Sequence, residues 1–253
     1  MNLIYKVDES CAAPSPILEK MQRRFFQKIG LNYDSALARL NDLLTANNLP
    51  AFQDSTRYAP TQHWVLFAAL ANIKIKRILE IGTYTAQTTT LLSALFPAAQ
   101  IITLDLPDDS PIFIDTYGRK NAEGRKKFVL ERNKLLSQLS NVIFLEQNSF
   151  LLPTLKLGKF DLIWLDGGHE YPDVAWDMCN CYHSISLGGW LLCDDIYTDK
   201  NVPAGATYDT FHVLDCLEKE KIITFDLILK RLHPQYVDEP IERKYIAAIQ
   251  KNT

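Results

Sequence analysis

Several features are missing from this 253-residue sequence, and each absence closes off a class of function. There is no basic surplus: the formal net charge is −3, whereas a nucleic-acid partner calls for clustered Lys and Arg to neutralise phosphates. No apolar run approaches the roughly 20 residues that a membrane span needs. The opening Met1-Asn-Leu-Ile-Tyr-Lys6 lacks the apolar core of a signal peptide, so a cytoplasmic chain is the expectation. The five cysteines (Cys11, Cys179, Cys181, Cys193 and Cys216) are odd in number and not spaced as a disulfide framework, so free thiols are expected. Cys179, Cys181 and His183 fall in an expected helix, where Cys181 points away from the other two, which argues against zinc. Internal repeats, low-complexity tracts and linkers are absent, as is a complete Gly-x-Gly-x-x-Gly, which disfavours an NAD-binding protein. What remains, 47% hydrophobic and 23% charged, suits one α/β core with an appendage.

The stretch Arg77-Ile-Leu-Glu-Ile-Gly-Thr-Tyr-Thr-Ala-Gln-Thr-Thr-Thr-Leu-Leu92 anchors the reading. It predicts a buried strand over 77–81, a tight turn over 82–85 and a helix over 86–96 with Leu91, Leu92 and Leu95 on its apolar side. Gly82 permits close backbone approach, and the helix start offers unpaired N–H groups. Glu80, ending the strand, repels phosphate and attracts the amino group of an amino-acid-like ligand.

Around this unit, 1–13 read as a loose arm, and helices are expected over 14–29, 34–46 and 58–71. From Arg77 onward strands and helices alternate, the mark of a mainly parallel sheet covered on both faces. Further strands are expected over 100–106, 142–146, 160–165, 190–193, 222–230 and 244–250, with helices over 119–139, 173–185 and 209–220. The last two strands should pair antiparallel across a short connection. The expected fold class is therefore α/β, a doubly wound seven-stranded sheet with its last strands antiparallel, plus N-terminal helices. Residues 1–59 form a helical extension, serving as a lid or a dimer contact, and 60–253 the main domain; a homodimer is one expectation.

In doubly wound sheets ligands bind beyond the carboxyl ends of the strands, so polar residues there are the candidates. Asp105 lies 25 residues after Glu80, near the spacing at which a carboxylate takes ribose hydroxyls. Asp166 ends the fourth strand and Asp194-Asp195 the fifth. If these strands are neighbours the three carboxylates converge, and hard oxygen donors suit Mg²⁺, Mn²⁺ or Ca²⁺. His169 can take a proton near neutral pH if its pKa stays close to the ordinary value of about 6.5. The Pro107–Lys120 stretch, with Tyr117 and Arg119, and the Tyr197–Tyr208 loop are the candidate substrate contacts. Arg119, Lys120, Arg125, Lys126 and Lys127 read as a solvated helix face, with an anionic substrate as the alternative.

Glu80 and Gly82, with Ala86 at the position of a second glycine, resemble motif I of the class I S-adenosylmethionine (SAM) methyltransferases. Phe160-Asp-Leu-Ile-Trp-Leu-Asp166-Gly-Gly-His169-Glu-Tyr171 together with Gly188-Gly-Trp-Leu-Leu-Cys-Asp194-Asp195 resembles the metal-dependent O-methyltransferases of the catechol and macrolide-sugar type. The resemblance covers roughly residues 60 to 250. It implies a SAM- and divalent-metal-dependent O-methyltransferase acting on a small molecule bearing a hydroxyl, such as a sugar, natural product or catechol-like diol. By it Asp166, Asp194 and Asp195 hold the metal, Asp105 the ribose, and Asn148 and Ser149 the adenine; His169 stands where the catechol enzyme has its lysine base. The implied catalytic residues are His169 and Asp166. The implied cofactor set is Glu80, Gly82, Thr83, Tyr84, Asp105, Leu106, Asn148, Ser149, Asp166 and Gly167. The rivals are a nucleotide-binding protein without methyl transfer and a cephalosporin-hydroxylase-like metal protein.

Overall fold

The computed structural model describes residues 11–54, 60–116, 119–203 and 205–252. Most of the expected N-terminal arm, together with Tyr58 and Tyr117, lies outside these residues. The chain opens with three helices, α1 (Pro16–Lys28), α2 (Tyr33–Ala46) and α3 (His63–Leu70). Pro16 suits the first turn of α1, where its missing N–H costs nothing, and the Asn32 side chain caps α2 by accepting from Ser35 N at 2.9 Å. After them come β1 (Arg77–Ile81), α4 (Gln87–Leu95), β2 (Gln100–Asp105), α5 (Pro111–Asp115), α6 (Ala122–Leu136), β3 (Val142–Glu146), β4 (Phe160–Leu165), α7 (Asp173–Ser184), β5 (Ile185–Ile196), α8 (Asp209–Lys219), β6 (Asp226–Leu229), α9 (Gln235–Asp238) and β7 (Tyr245–Gln250).

The strands form one sheet in the order β3-β2-β1-β4-β5-β7-β6. β1 to β5 run parallel, and β7 runs antiparallel to both neighbours. The connection from β6 to the adjacent antiparallel β7 is long rather than a short hairpin, running through α9 before β7 enters between β5 and β6. Alternation along β4 shows how the core divides. Leu162 and Trp164 face a cluster built from α1 to α4, whereas Ile163 and Leu165 face the cluster under α7 and α8. All four are buried, each contributing about 1.5–3 kcal/mol of apolar transfer free energy.

The N-terminal helices are part of this core. Leu18, Phe26, Ala36, Leu40 and Leu44 have no exposure and join the same cluster as Trp164. The outer edge of β6 is satisfied by a side chain: Gln22 donates to Leu229 O and accepts from Leu229 N, both at 3.0 Å. One amide there replaces a strand neighbour. Asp54 similarly accepts from Leu232 N at 2.7 Å and from the Gln62 side chain, while burial pushes its carboxyl up to about 6.

Two boundaries differ from expectation for local reasons. The expected strand start at Ile222 belongs instead to the closure of α8: Lys221 adopts φ +59 and Ile222 N bonds back to Leu217 O at 2.9 Å, so pairing begins only at Asp226. The expected helix over 119–139 is α6, which starts at Ala122 because the Asn121 side chain caps it by accepting from Gly124 N, and the short α5 lies in the preceding stretch, for which no helix is expected.

Candidate active site at the carboxyl end of the sheet

β1 delivers Glu80 into a fully buried position, where Oε2 accepts from Thr89 Oγ at 2.5 Å and from Thr103 Oγ at 2.6 Å. Thr83 shares a further 2.6 Å bond with Thr103. Burial pushes the Glu80 carboxyl up to about 8, against the pull of those hydroxyls. Glu80 Oε1 is buried and meets no donor among the described residues, so this acid keeps one acceptor position for a cationic partner.

The turn after β1 is held to its neighbours by backbone contacts. Gly82, at φ +98, donates to Leu104 O at 2.9 Å, and Asp166 N donates to Ile81 O at 2.9 Å. A Cβ on Gly82 would lie 2.1 Å from Asp166 O, so the glycine is required by the approach of the β4 terminus. Tyr84 and Ala86 both adopt left-handed φ, +45 and +62, and no side chain caps the start of α4. Asp105 ties the turn to β2, accepting from Tyr84 N and Leu106 N at 2.8 Å each. Burial raises its pKa against these bonds. Asp105→Ala leaves both N–H groups without that acceptor, each at about 1–3 kcal/mol, and a fall in melting temperature of roughly 4 °C or more is expected by calorimetry.

After β3 the chain enters a 3-10 turn. Asn148 caps this turn, Ser149–Thr154, by accepting from Phe150 N at 2.9 Å, and Ser149 favours the charged form of Asp177 of α7. Asp177 is buried and raised to about 6 by that burial; a Cβ on Gly167 would meet it at 3.5 Å and Ile81 at 3.2 Å. Arg119, expected on a solvated face, is buried instead, with its guanidinium 4.0 Å from the Phe113 ring centroid and 4.8 Å from that of Phe128.

The β4–β5 register pairs Leu165 with Cys193, which brings Asp166 and Asp194 to adjacent strand ends. β5 then bulges, with a register shift between Cys193 and Ile196, and Asp195 sits at φ +55. His169 Nε2 lies 3.6 Å from Asp166 Oδ1. Burial alone would lower the His169 pKa, but Asp166, Asp195 and Asp194 together raise it. Asp166 is pushed up to about 7 by burial and by the Asp194 carboxylate.

Two lysines that the sequence reading did not single out complete the cluster. Lys230 Nζ contacts Asp194 Oδ2 at 2.5 Å and also bonds Asp195 Oδ1, while Lys244 Nζ lies 2.9 Å from Asp195 Oδ2. Burial would raise the Asp195 carboxyl, yet the two ammonium groups hold it well below the usual carboxylate range. Both lysines flank the last two strands at the carboxyl end of the sheet. The strand-end rule that found the aspartates reaches Lys230, which follows the carboxyl end of β6, whereas Lys244 precedes the amino end of the antiparallel β7.

The expectation that Asp166, Asp194 and Asp195 hold a divalent ion does not fit this arrangement. Both Asp195 oxygens and one Asp194 oxygen already face ammonium groups, and no cluster of three or more acidic, His or Cys donors among the described residues is arranged for a metal. Mg²⁺ keeps several waters and is held by one or two carboxylates, but both Asp195 oxygens and Asp194 Oδ2 are open to it only if Lys230 or Lys244 is displaced. Cys179, Cys181 and His183 do not form a metal site either, Cys179 being exposed and Cys181 buried. Among the described residues no helix is long and apolar enough to cross a membrane.

Residues 79–196, just under half of the chain, match the family model described as Methyltransferase domain (Methyltransf_24). No curated protein matches the chain. Among solved structures, the chain is similar to the O-methyltransferase TomG from Streptomyces achromogenes, determined with SAM, at 19% identity and a TM-score of 0.51, covering 92% of this chain and 98% of TomG. It is also similar to cofactor-bound Rv0187 from MTB, at 19% identity, TM-score 0.52 and coverage of 86% and 89%. The N-methyltransferase NodS from Bradyrhizobium japonicum follows at 14% identity, TM-score 0.51 and coverage of 76% and 94%. At these identities the likeness shows a shared fold, and that fold serves both O- and N-methyltransferases.

Proposed function

We propose that this chain, which carries a methyltransferase domain on the class I methyltransferase fold, transfers the methyl group of SAM to a hydroxyl of a small molecule. The observation that carries the reading is the pairing of two half-sites at one sheet end. One half is a cradle with an unpartnered buried Glu80 oxygen, Asp105 and an uncapped helix start. The other is the His169–Asp166 pair beside it, just beyond the end of β4. The first fits an amino-acid-bearing nucleoside: Glu80 Oε1 accepts from an ammonium, and the remaining Asp105 lone pairs accept from ribose hydroxyls. SAM, when bound, supplies an electrophilic methyl group on a sulfonium.

The protein's own work is to position the acceptor and to take its proton. With Nε2–H directed at Asp166, Nδ1 of His169 is the basic nitrogen, and Asp166 holds the ring and stabilises the imidazolium. The hydroxyl oxygen, its proton passed to His169, would be the nucleophile toward that methyl group, with S-adenosylhomocysteine as the leaving group. Holding both reactants at one strand end supplies several kcal/mol of orientation. The test is release of S-adenosylhomocysteine from SAM across phenols, catechols, sugar diols and primary amines, with EDTA present. Hydroxyl acceptors are expected to stimulate release; stimulation by amines alone would overturn the assignment of the acceptor atom.

A further inference from the structure

We infer that the Lys230 ammonium, held by the two β5 carboxylates Asp194 and Asp195, stands in for a divalent metal, so that this chain binds its acceptor oxygen with a lysine and works without a metal. The inference rests on the methyltransferase reading above and deepens it.

The geometry is that of a built site rather than a surface pair. Lys230 follows β6 directly, and its backbone is fixed on both sides, N donating to Lys244 O and its carbonyl accepting from Gln62 N, each at 2.9 Å. Its side chain is 9% exposed, and the Asp194 side chain beneath it is 3% exposed. The bulge of β5 and the left-handed Asp195 aim a second carboxylate at the same ammonium, and Lys244 closes the far side of Asp195. The charges balance without a metal. Lys230 and Lys244 answer Asp194 and Asp195, and Asp166 has His169. Asp194 Oδ1 is buried and meets no donor among the described residues, but a divalent ion that also took Asp194 Oδ2 or Asp195 Oδ1 would expel Lys230 and leave that ammonium buried without its partners, an arrangement that proteins avoid.

An ammonium group has three N–H donors, and two of those on Lys230 are directed at Asp194 and Asp195. The third is available to an acceptor oxygen delivered to the strand ends. There it stabilises the negative charge that develops as His169 takes the proton, the role a bound cation would otherwise serve. Lys230 is thus placed as a group that touches substrate.

The experiment uses the full chain with Mn²⁺ as the probe. Binding is read by electron paramagnetic resonance, and turnover is compared in Mg²⁺ and in EDTA. The wild-type chain is expected to bind no Mn²⁺ up to about 1 mM free ion and to turn over within about twofold in the two buffers. Lys230→Ala uncovers the carboxylates and is expected to gain Mn²⁺ binding by roughly tenfold or more, while losing about 10²-fold or more in kcat. Lys230→Arg, which keeps the charge and guards against loss of folding, is expected to remain blind to Mn²⁺. One equivalent of Mn²⁺ bound by the wild type, or a tenfold fall of turnover in EDTA, would overturn the inference. S-adenosylhomocysteine binding is measured in parallel. Its absence would remove the methyltransferase reading itself, whereas Mn²⁺ binding by a chain that still binds it would remove only the role given to Lys230.

Discussion

Gly82→Ala is expected to lower the melting temperature by roughly 5–20 °C and to abolish measurable S-adenosylhomocysteine binding. The added Cβ would lie 2.1 Å from Asp166 O and 2.7 Å from its carbonyl carbon. Both are backbone atoms of the adjoining strand, so no side chain can swing aside. Overpacking of this kind costs about 1–3 kcal/mol, and an alanine held at φ +98 adds about 1–3 kcal/mol of strain. The only relief is to move the turn away from β4, which parts Tyr84 from Asp105 and moves Asp166 from its place. Gly30→Ala is the control: it has φ +75 with nothing within 4 Å of the added atom, so it bears strain alone. Equal melting temperatures for Gly82→Ala and the parent chain would mean that the β1 turn does not pack on β4 as described.

His169→Ala is expected to reduce kcat by about 10²–10⁴-fold while leaving S-adenosylhomocysteine affinity within about twofold, since a general base acts on the acceptor and not on the cradle. The pH profile gives an independent check. The carboxylates around His169 favour its imidazolium and raise its pKa, so the basic form becomes available only above the ordinary histidine value. The rate should therefore climb with pH through a midpoint above 6.5. Asp166→Asn removes one of the groups that favours the charged form, and the midpoint should move to lower pH. A structural His169 would change melting temperature and leave that midpoint where it was.

The sequence carried much of the fold because strand and helix periods are local signals. The strand at Arg77–Ile81, the turn with Gly82 and the helix behind it stand where the pattern placed them, as does the Asp105 terminus of β2. The rule that ligands meet the carboxyl ends of strands also led to Asp166, His169 and the Asp194-Asp195 pair. What escaped depends on contacts between distant segments. That Gly82 is demanded by Asp166 O, 84 residues further on, cannot be seen in any window around it. Nothing in the local pattern singles out Lys230 and Lys244, which meet the aspartates only because β7 inserts between β5 and β6. The metal expectation followed from three carboxylates considered without their counter-charges. Arg119 fell into a basic run by sequence, yet Phe113 and Phe128 enclose it from outside that run.

The most direct measurement is isothermal titration of the chain with S-adenosylhomocysteine in EDTA, with NAD as the comparison. One equivalent of S-adenosylhomocysteine should bind with micromolar affinity, about −8 kcal/mol, and NAD should give no heat of binding. Binding of NAD without S-adenosylhomocysteine would contradict the reading of Glu80 and Asp105 as an amino-acid and ribose cradle, and with it the assignment of methyl transfer.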